Sequence, residues 1–81
     1  MIYKFYLELK NNYAPANQYA VPAMEIRSAS LHSACQEAEK RIGAKLTHYE
    51  PLEEGNRYRV YFTRKKLFKK TDEFVYYVEC E

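Results

Sequence analysis

Among the residues able to do covalent chemistry, Cys35 and His32 stand three apart, one turn if their segment is a helix. An imidazole at that spacing can lower a thiol pKa and create a nucleophile. Cys35, however, recurs with Leu31, Ala34, Ala38 and Ile42 at helical spacing, and a thiol inside an apolar stripe is inert. His48 is distant from His32, and neither belongs to a Cys-x-x-Cys or His-x-x-x-His pattern that would hold a metal. The chain has no glycine-rich phosphate loop and no Gly-x-Ser-x-Gly elbow. Glu53 and Glu54 read as solvated turn carboxylates. Asp72, the only aspartate, reads as a local hydrogen-bonding residue beside Thr71. The expectation is a non-enzymatic protein without catalytic, metal-binding or cofactor-binding residues.

What remains is recognition. The run RKKLFKK sets Arg64, Lys65, Lys66, Lys69 and Lys70 around Leu67 and Phe68. Lysines at a hairpin end keep it soluble and discourage stray strand pairing. A solubilising turn has no need of two large apolar residues, so Leu67 and Phe68 either fold back on the core or touch a partner. The second feature is tyrosine: nine, with four Phe and no Trp. Its apolar ring and polar tip can roof a core or face another molecule.

These residues need elements to hold them. Tyr3, Phe5, Leu7 and Leu9 alternate with Ile2, Lys4, Tyr6, Glu8 and Lys10, the period of a half-buried strand. NNYAPANQYAVP reads as a long loop, a place where function or mobility concentrates. A second strand puts Met24 and Ile26 inward, with Glu25 and Arg27 outward. Ser28 and Ser30 are both candidate N-caps for a helix ending at Gly43, a candidate left-handed cap. AKLTHYE is a short strand of ambiguous phase, with Leu46 and His48, or Thr47 and Tyr49, inward. PLEEGN turns into RYRVYFT, with Tyr58, Val60 and Phe62 inward. EFVYYVEC follows with Phe74, Tyr76, Val78 and Cys80 inward.

The fold class is therefore α+β: one domain over residues 1–81, with a five-stranded, mainly antiparallel sheet in the order β-β-α-β-β-β. A single helix covers one sheet face and leaves the other outward. The spatial order 2-1-5-4-3 makes every neighbouring pair antiparallel. Matching the inward sets of the last two strands places Arg57 opposite Glu79, Arg59 opposite Tyr77, Tyr61 opposite Val75 and Thr63 opposite Glu73. Arg57 and Glu79 would form an exposed ion pair, and Arg59 would lie over the Tyr77 ring. RKKLFKK becomes the tip of that hairpin.

Charge and composition constrain the partner. Hydrophobic residues make up 47% of the chain and charged residues 30%, which suits a folded domain. Net charge is +2 and the pI near 8.5, below the ~9 expected of a domain dedicated to phosphates. Basic residues 64–70 contrast with the acidic cluster Glu50, Glu53 and Glu54, so the molecule is bipolar. MIYKFYLELK has no signal-peptide pattern, and no apolar run reaches the ~20 residues that cross a bilayer. Two cysteines, Cys35 and Cys80, fit a reducing cytoplasm. A single bridge between them is the alternative for a secreted chain.

The sequence reading favours a small binding protein acting through protein–protein contact with a partner of acidic surface. An inhibitor or adaptor of a larger complex, in the style of phage and mobile-element proteins of this size, is the analogy. Its proposed contacts are Arg64, Lys65, Lys66, Leu67, Phe68, Lys69 and Lys70 at the tip, with Arg57, Arg59, Tyr6, Tyr61 and Tyr77 on the open face. The alternative is a single-stranded nucleic-acid module, with lysines on phosphates and tyrosines under bases. Glu8, Glu25, Glu73 and Glu79 would repel a phosphate chain on that platform. A second alternative is a homodimer burying Ile2, Tyr6, Tyr61, Val75 and Tyr77. No membrane association is expected, and no motif names a family.

Overall fold

The computed structural model describes residues 1–16, 19–53 and 55–81. Among these residues five strands and one helix follow in the expected order: β1 (Ile2–Lys10), β2 (Met24–Arg27), α1 (Leu31–Ile42), β3 (Lys45–Pro51), β4 (Arg57–Arg64) and β5 (Asp72–Cys80). They form one α+β unit whose sheet runs β2-β1-β5-β4-β3, antiparallel at every pair. The β4–β5 register is the expected one, with Arg57, Arg59, Tyr61 and Thr63 opposite Glu79, Tyr77, Val75 and Glu73.

The helix starts and stops where its side chains dictate. Ser30, in extended conformation, accepts a hydrogen bond from the Ser33 N–H, satisfying one orphan donor of the first turn. Gly43 closes the other end at φ +72, where a Cβ would be strained, and its N–H donates to the Glu39 carbonyl. Ala34, Cys35 and Ala38 are buried on the face toward the sheet. Two alanines in that stripe bring the helix close to the strands. Beneath it lie Tyr3, Phe5, Ile26, Val60, Phe62, Phe74, Tyr76 and Val78, all buried. Tyr76 makes T-shaped contacts with Phe5 and Phe62, ring centres 6.1 and 5.7 Å apart, an arrangement that suits aromatic quadrupoles. Both thiols are free, Cys35 inside and Cys80 partly exposed.

Two bulges change what faces outward. In β1 the register shifts between Leu7 and Leu9, so Leu7 pairs with Tyr76 and Leu9 with Val75. Leu9, expected inward, moves to the open face. Lys10, expected outward, lies opposite Phe74, with its ammonium 5.7 Å from the ring centre. In β3 the shift falls between Leu46 and His48, leaving Thr47 as the extra residue. Neither phase expected for β3 is therefore right. Leu46 packs against the core, His48 and Glu50 lie on the open side, and Tyr49 is exposed opposite Val60. An extra residue reverses the alternation beyond it, which explains both differences.

The sheet edges are guarded. At β3 the Glu39 carboxylate accepts the Leu46 N–H at 2.8 Å, Thr47 is bulged, and Pro51 has no N–H to offer. At the other edge β2 is four residues long.

Candidate functional site

The open face is largely satisfied by the chain itself. Asn11 and Asn12 both take positive φ, 52° and 68°, between Lys10 and Tyr13, which exchange two backbone hydrogen bonds. This is the geometry of a tight primed turn, which asparagine tolerates, and it reverses the chain directly after β1. The following loop brings Tyr19 back against Tyr6 and Tyr77, with ring centres 6.5 and 5.7 Å away; Tyr6 and Tyr77 are 6.1 Å apart. Tyr19 donates its hydroxyl to Glu8 at 2.7 Å, and that bond raises its pKa. Tyr6 and Tyr77 are thus half-buried beneath Tyr19, which is itself exposed.

Arg59 lies opposite Tyr77 in register, but its guanidinium turns to Glu8, with Nε 2.9 Å from Oε1 and Nη2 3.5 Å from Oε2. Glu50 stands 3.8 Å away on its other side. The β1 bulge aims Glu8 at this position, where the residue is 8% exposed. A carboxylate so placed needs a cation or several donors, and Arg59 supplies the cation. Tyr61 donates to Glu50 at 3.2 Å and lies 5.5 Å from the His48 ring. Arg57 is opposite Glu79 at the far end of the hairpin. A shallow hollow of about 420 Å³ remains among Glu8, Leu9, Ala14, Arg59, Tyr61 and Val75.

At the basic end, RKKLFKK divides into two sets. Arg64 and Lys66 point back to Asp72: Arg64 donates through Nη2 at 2.7 Å and Nε at 3.2 Å, and Lys66 Nζ is 2.9 Å away. Asn11 Nδ2 donates to the other carboxylate oxygen at 3.1 Å. These donors, led by Arg64, hold the Asp72 carboxyl well below the usual carboxylate range. Arg64 also packs 5.3 Å from the Phe74 ring and donates to the Ile42 carbonyl. The expected local role for Asp72 is therefore corrected. It ties the base of the hairpin to the turn after β1, and Arg64 and Lys66 serve that tie.

The remaining residues are displayed. Leu67 is 82% exposed and Phe68 95%, so of the two readings open for them the fold-back one does not hold. The Lys69 N–H reaches the Lys66 carbonyl at 3.3 Å, closing a turn with Leu67 and Phe68 at its centre. Phe68 has φ +61, a conformation usually left to glycine or asparagine. Lys65, Lys69 and Lys70 surround this apex, and none has an ion-pair partner among the described residues.

Cys35 and His32 do not form a reactive pair. Cys35 is 1% exposed, and burial pushes its thiol up to about 11, with Glu39 adding to the rise, while His32 is exposed. No group of three or more His, Cys, Asp or Glu side chains among the described residues could hold a metal ion. No described helix is long and apolar enough to cross a membrane. No family model matches the chain, and neither the curated proteins nor the solved structures contain a match.

Sequence reading missed Tyr19 and the Glu8–Arg59 pair. The Asn11-Asn12 dipeptide was the available signal for Tyr19, since two residues that tolerate positive φ permit an immediate reversal.

Proposed function

We propose that this protein acts by binding another protein, inserting the Leu67–Phe68 apex into an apolar pocket whose rim is acidic. The observation that carries the reading is Phe68, almost fully exposed at positive φ. Its ring gives nothing to the core, and its backbone conformation costs an L-residue about 1 kcal/mol that glycine would avoid. A large aromatic held there is of use only outside the molecule. Lys65, Lys69 and Lys70 can steer the tip toward negative charge before the apolar pair seats, and aromatic anchors carry much of an interface's energy.

The single-strand nucleic-acid reading loses support on the open face. Tyr6 and Tyr77 pack with Tyr19, and Arg59 is bound to Glu8, leaving little of the stacking platform available. Fluorescence anisotropy with labelled single- and double-stranded DNA and RNA, at low and physiological salt, separates the classes. The proposal expects no binding at physiological salt. Micromolar binding that weakens steeply with salt and disappears when the displayed lysines become alanine would replace it with nucleic-acid recognition.

A further inference from the structure

We propose that the cleft beside the C-terminal end of α1, between the helix and the start of the β3–β4 edge, binds the carboxylates of an extended acidic peptide segment. This rests on the reading of the basic end as a docking surface and specifies the chemistry that its partner brings.

The cleft has a volume of about 970 Å³, and its walls carry Lys40, Lys45, Lys65 and Arg64. Arg64 is committed to Asp72, but the three lysines have no ion-pair partner among the described residues. By contrast Lys4, Arg41 and Arg59 are paired elsewhere, to Glu81, Glu37 and Glu8. Unpaired positive charge is therefore gathered where the helix end, the cleft and the hairpin tip meet. Among the described wall residues the one acid is Glu39, whose carboxylate is turned to the Leu46 N–H at 2.8 Å; it keeps its charge, so the wall sets three unpaired lysines against one carboxylate.

The helix end would ordinarily oppose an anion through its exposed carbonyls. Here Gly43 and Ala44 N–H groups both reach the Glu39 carbonyl, and Arg64 donates to that of Ile42 at 3.4 Å. Two of the last four carbonyls are thus bonded, and the three lysine charges outweigh Glu39 together with the charge of about −0.5 at a helix end.

Shape and lining select the ligand. A single carboxylate or phosphate would leave most of an open 970 Å³ cleft empty, whereas a few residues of extended chain would fill it. Strand addition is obstructed because Glu39 already holds the Leu46 N–H, so side-chain charge does the reading. Among the described residues none that lines the cleft is aromatic, so they offer no stacking surface of the kind a single nucleic-acid strand uses. Leu67 and Phe68 stand just beyond Lys65 in the chain, available to an apolar residue beside the acidic run.

The test is an NMR titration of the isotope-labelled protein at physiological salt with hexaglutamate, a short oligothymidylate and inorganic phosphate, each separately. Hexaglutamate lacks an apolar residue and therefore probes the cleft alone. It should shift the amides of Lys40, Gly43, Lys45, Thr63 and Lys65 saturably. Lys40→Glu with Lys45→Glu should weaken it at least about tenfold, and the milder Lys40→Gln with Lys45→Gln severalfold, with thermal midpoints confirming folding. Phe68→Gly should leave hexaglutamate binding unchanged. Absence of saturable shifts in the cleft, or shifts confined to Lys69 and Lys70, overturns the proposal. So does tighter binding of oligothymidylate, or phosphate binding as strong as that of the peptide. Cleft failure with Phe68-dependent partner binding intact rejects this site alone. Cleft binding with partner binding indifferent to Phe68 rejects the tip reading instead.

Discussion

Replacing Arg59 by leucine should destabilise the protein by about 2 kcal/mol, because it leaves Glu8 without its cation. Breaking a fully buried pair by removing one partner costs about 3–5 kcal/mol, whereas exposed pairs contribute about 0–1. The Glu8 side chain is 10% exposed and that of Arg59 37%, so water screens one member and hardly reaches the other. The value should fall between those limits, with the Tyr19 hydroxyl still donating to Glu8. For a domain of 81 residues, about 2 kcal/mol lowers the midpoint of thermal unfolding by roughly 8–16 °C. Urea denaturation of Arg59→Leu, Glu8→Gln and the double variant provides the measurement. The double variant should be more stable than the sum of the single losses implies, with a coupling near 1.5 kcal/mol. A loss below about 0.5 kcal/mol in Arg59→Leu would refute the reasoning and show that the face is solvated rather than internally paired.

Phe68→Gly should leave the thermal midpoint unchanged or raise it slightly, since relief of the positive φ offsets the added chain entropy; a fall of several degrees would mean that the ring supports the fold. Asp72 has a lowered folded-state pKa, so between that value and the unfolded value of about 3.9 the unfolded chain binds the extra proton. Stability from this group should be complete above about pH 5 and decline below it, and Asp72→Asn should flatten that limb in a series of pH-dependent urea titrations. A thiol reagent at neutral pH should label Cys80 rapidly and Cys35 only on unfolding; rapid labelling of both would contradict the buried, raised-pKa thiol.

The hairpin register could be read because β4 and β5 alternate cleanly and their inward sets match in only one sensible alignment. The helix was legible for a similar reason: the apolar stripe and Gly43 mark its course and end, while its start lay between Ser28 and Ser30 until the Ser30 cap was seen. The bulges were not, because an extra residue is invisible until the partner strand's register is known. Leu9 and Lys10 exchange faces on that account. At the candidate site, Arg64 and Lys66 looked equivalent to their neighbours in composition. Arg64 and Asp72 are the pair next beyond Thr63 and Glu73, so that contact was within reach of the register, whereas Lys66, and Asn11 from sixty-one positions away, join the same carboxylate through turns that no alternation reveals. The exposed state of Leu67 and Phe68 was one of two readings that composition alone allowed.

Site-specific photocrosslinking from position 68, with position 27 at the far end of the sheet as control, in lysate of cells that express the protein, provides the partner for the decisive measurement. The affinity of that purified partner for the wild type and for Phe68→Gly then tests the tip directly. The partner should crosslink from position 68 and not from 27, and Phe68→Gly should weaken binding about thirtyfold or more, the scale of an aromatic anchor. Equal crosslinking from both positions, or an affinity within about threefold of wild type, would contradict it.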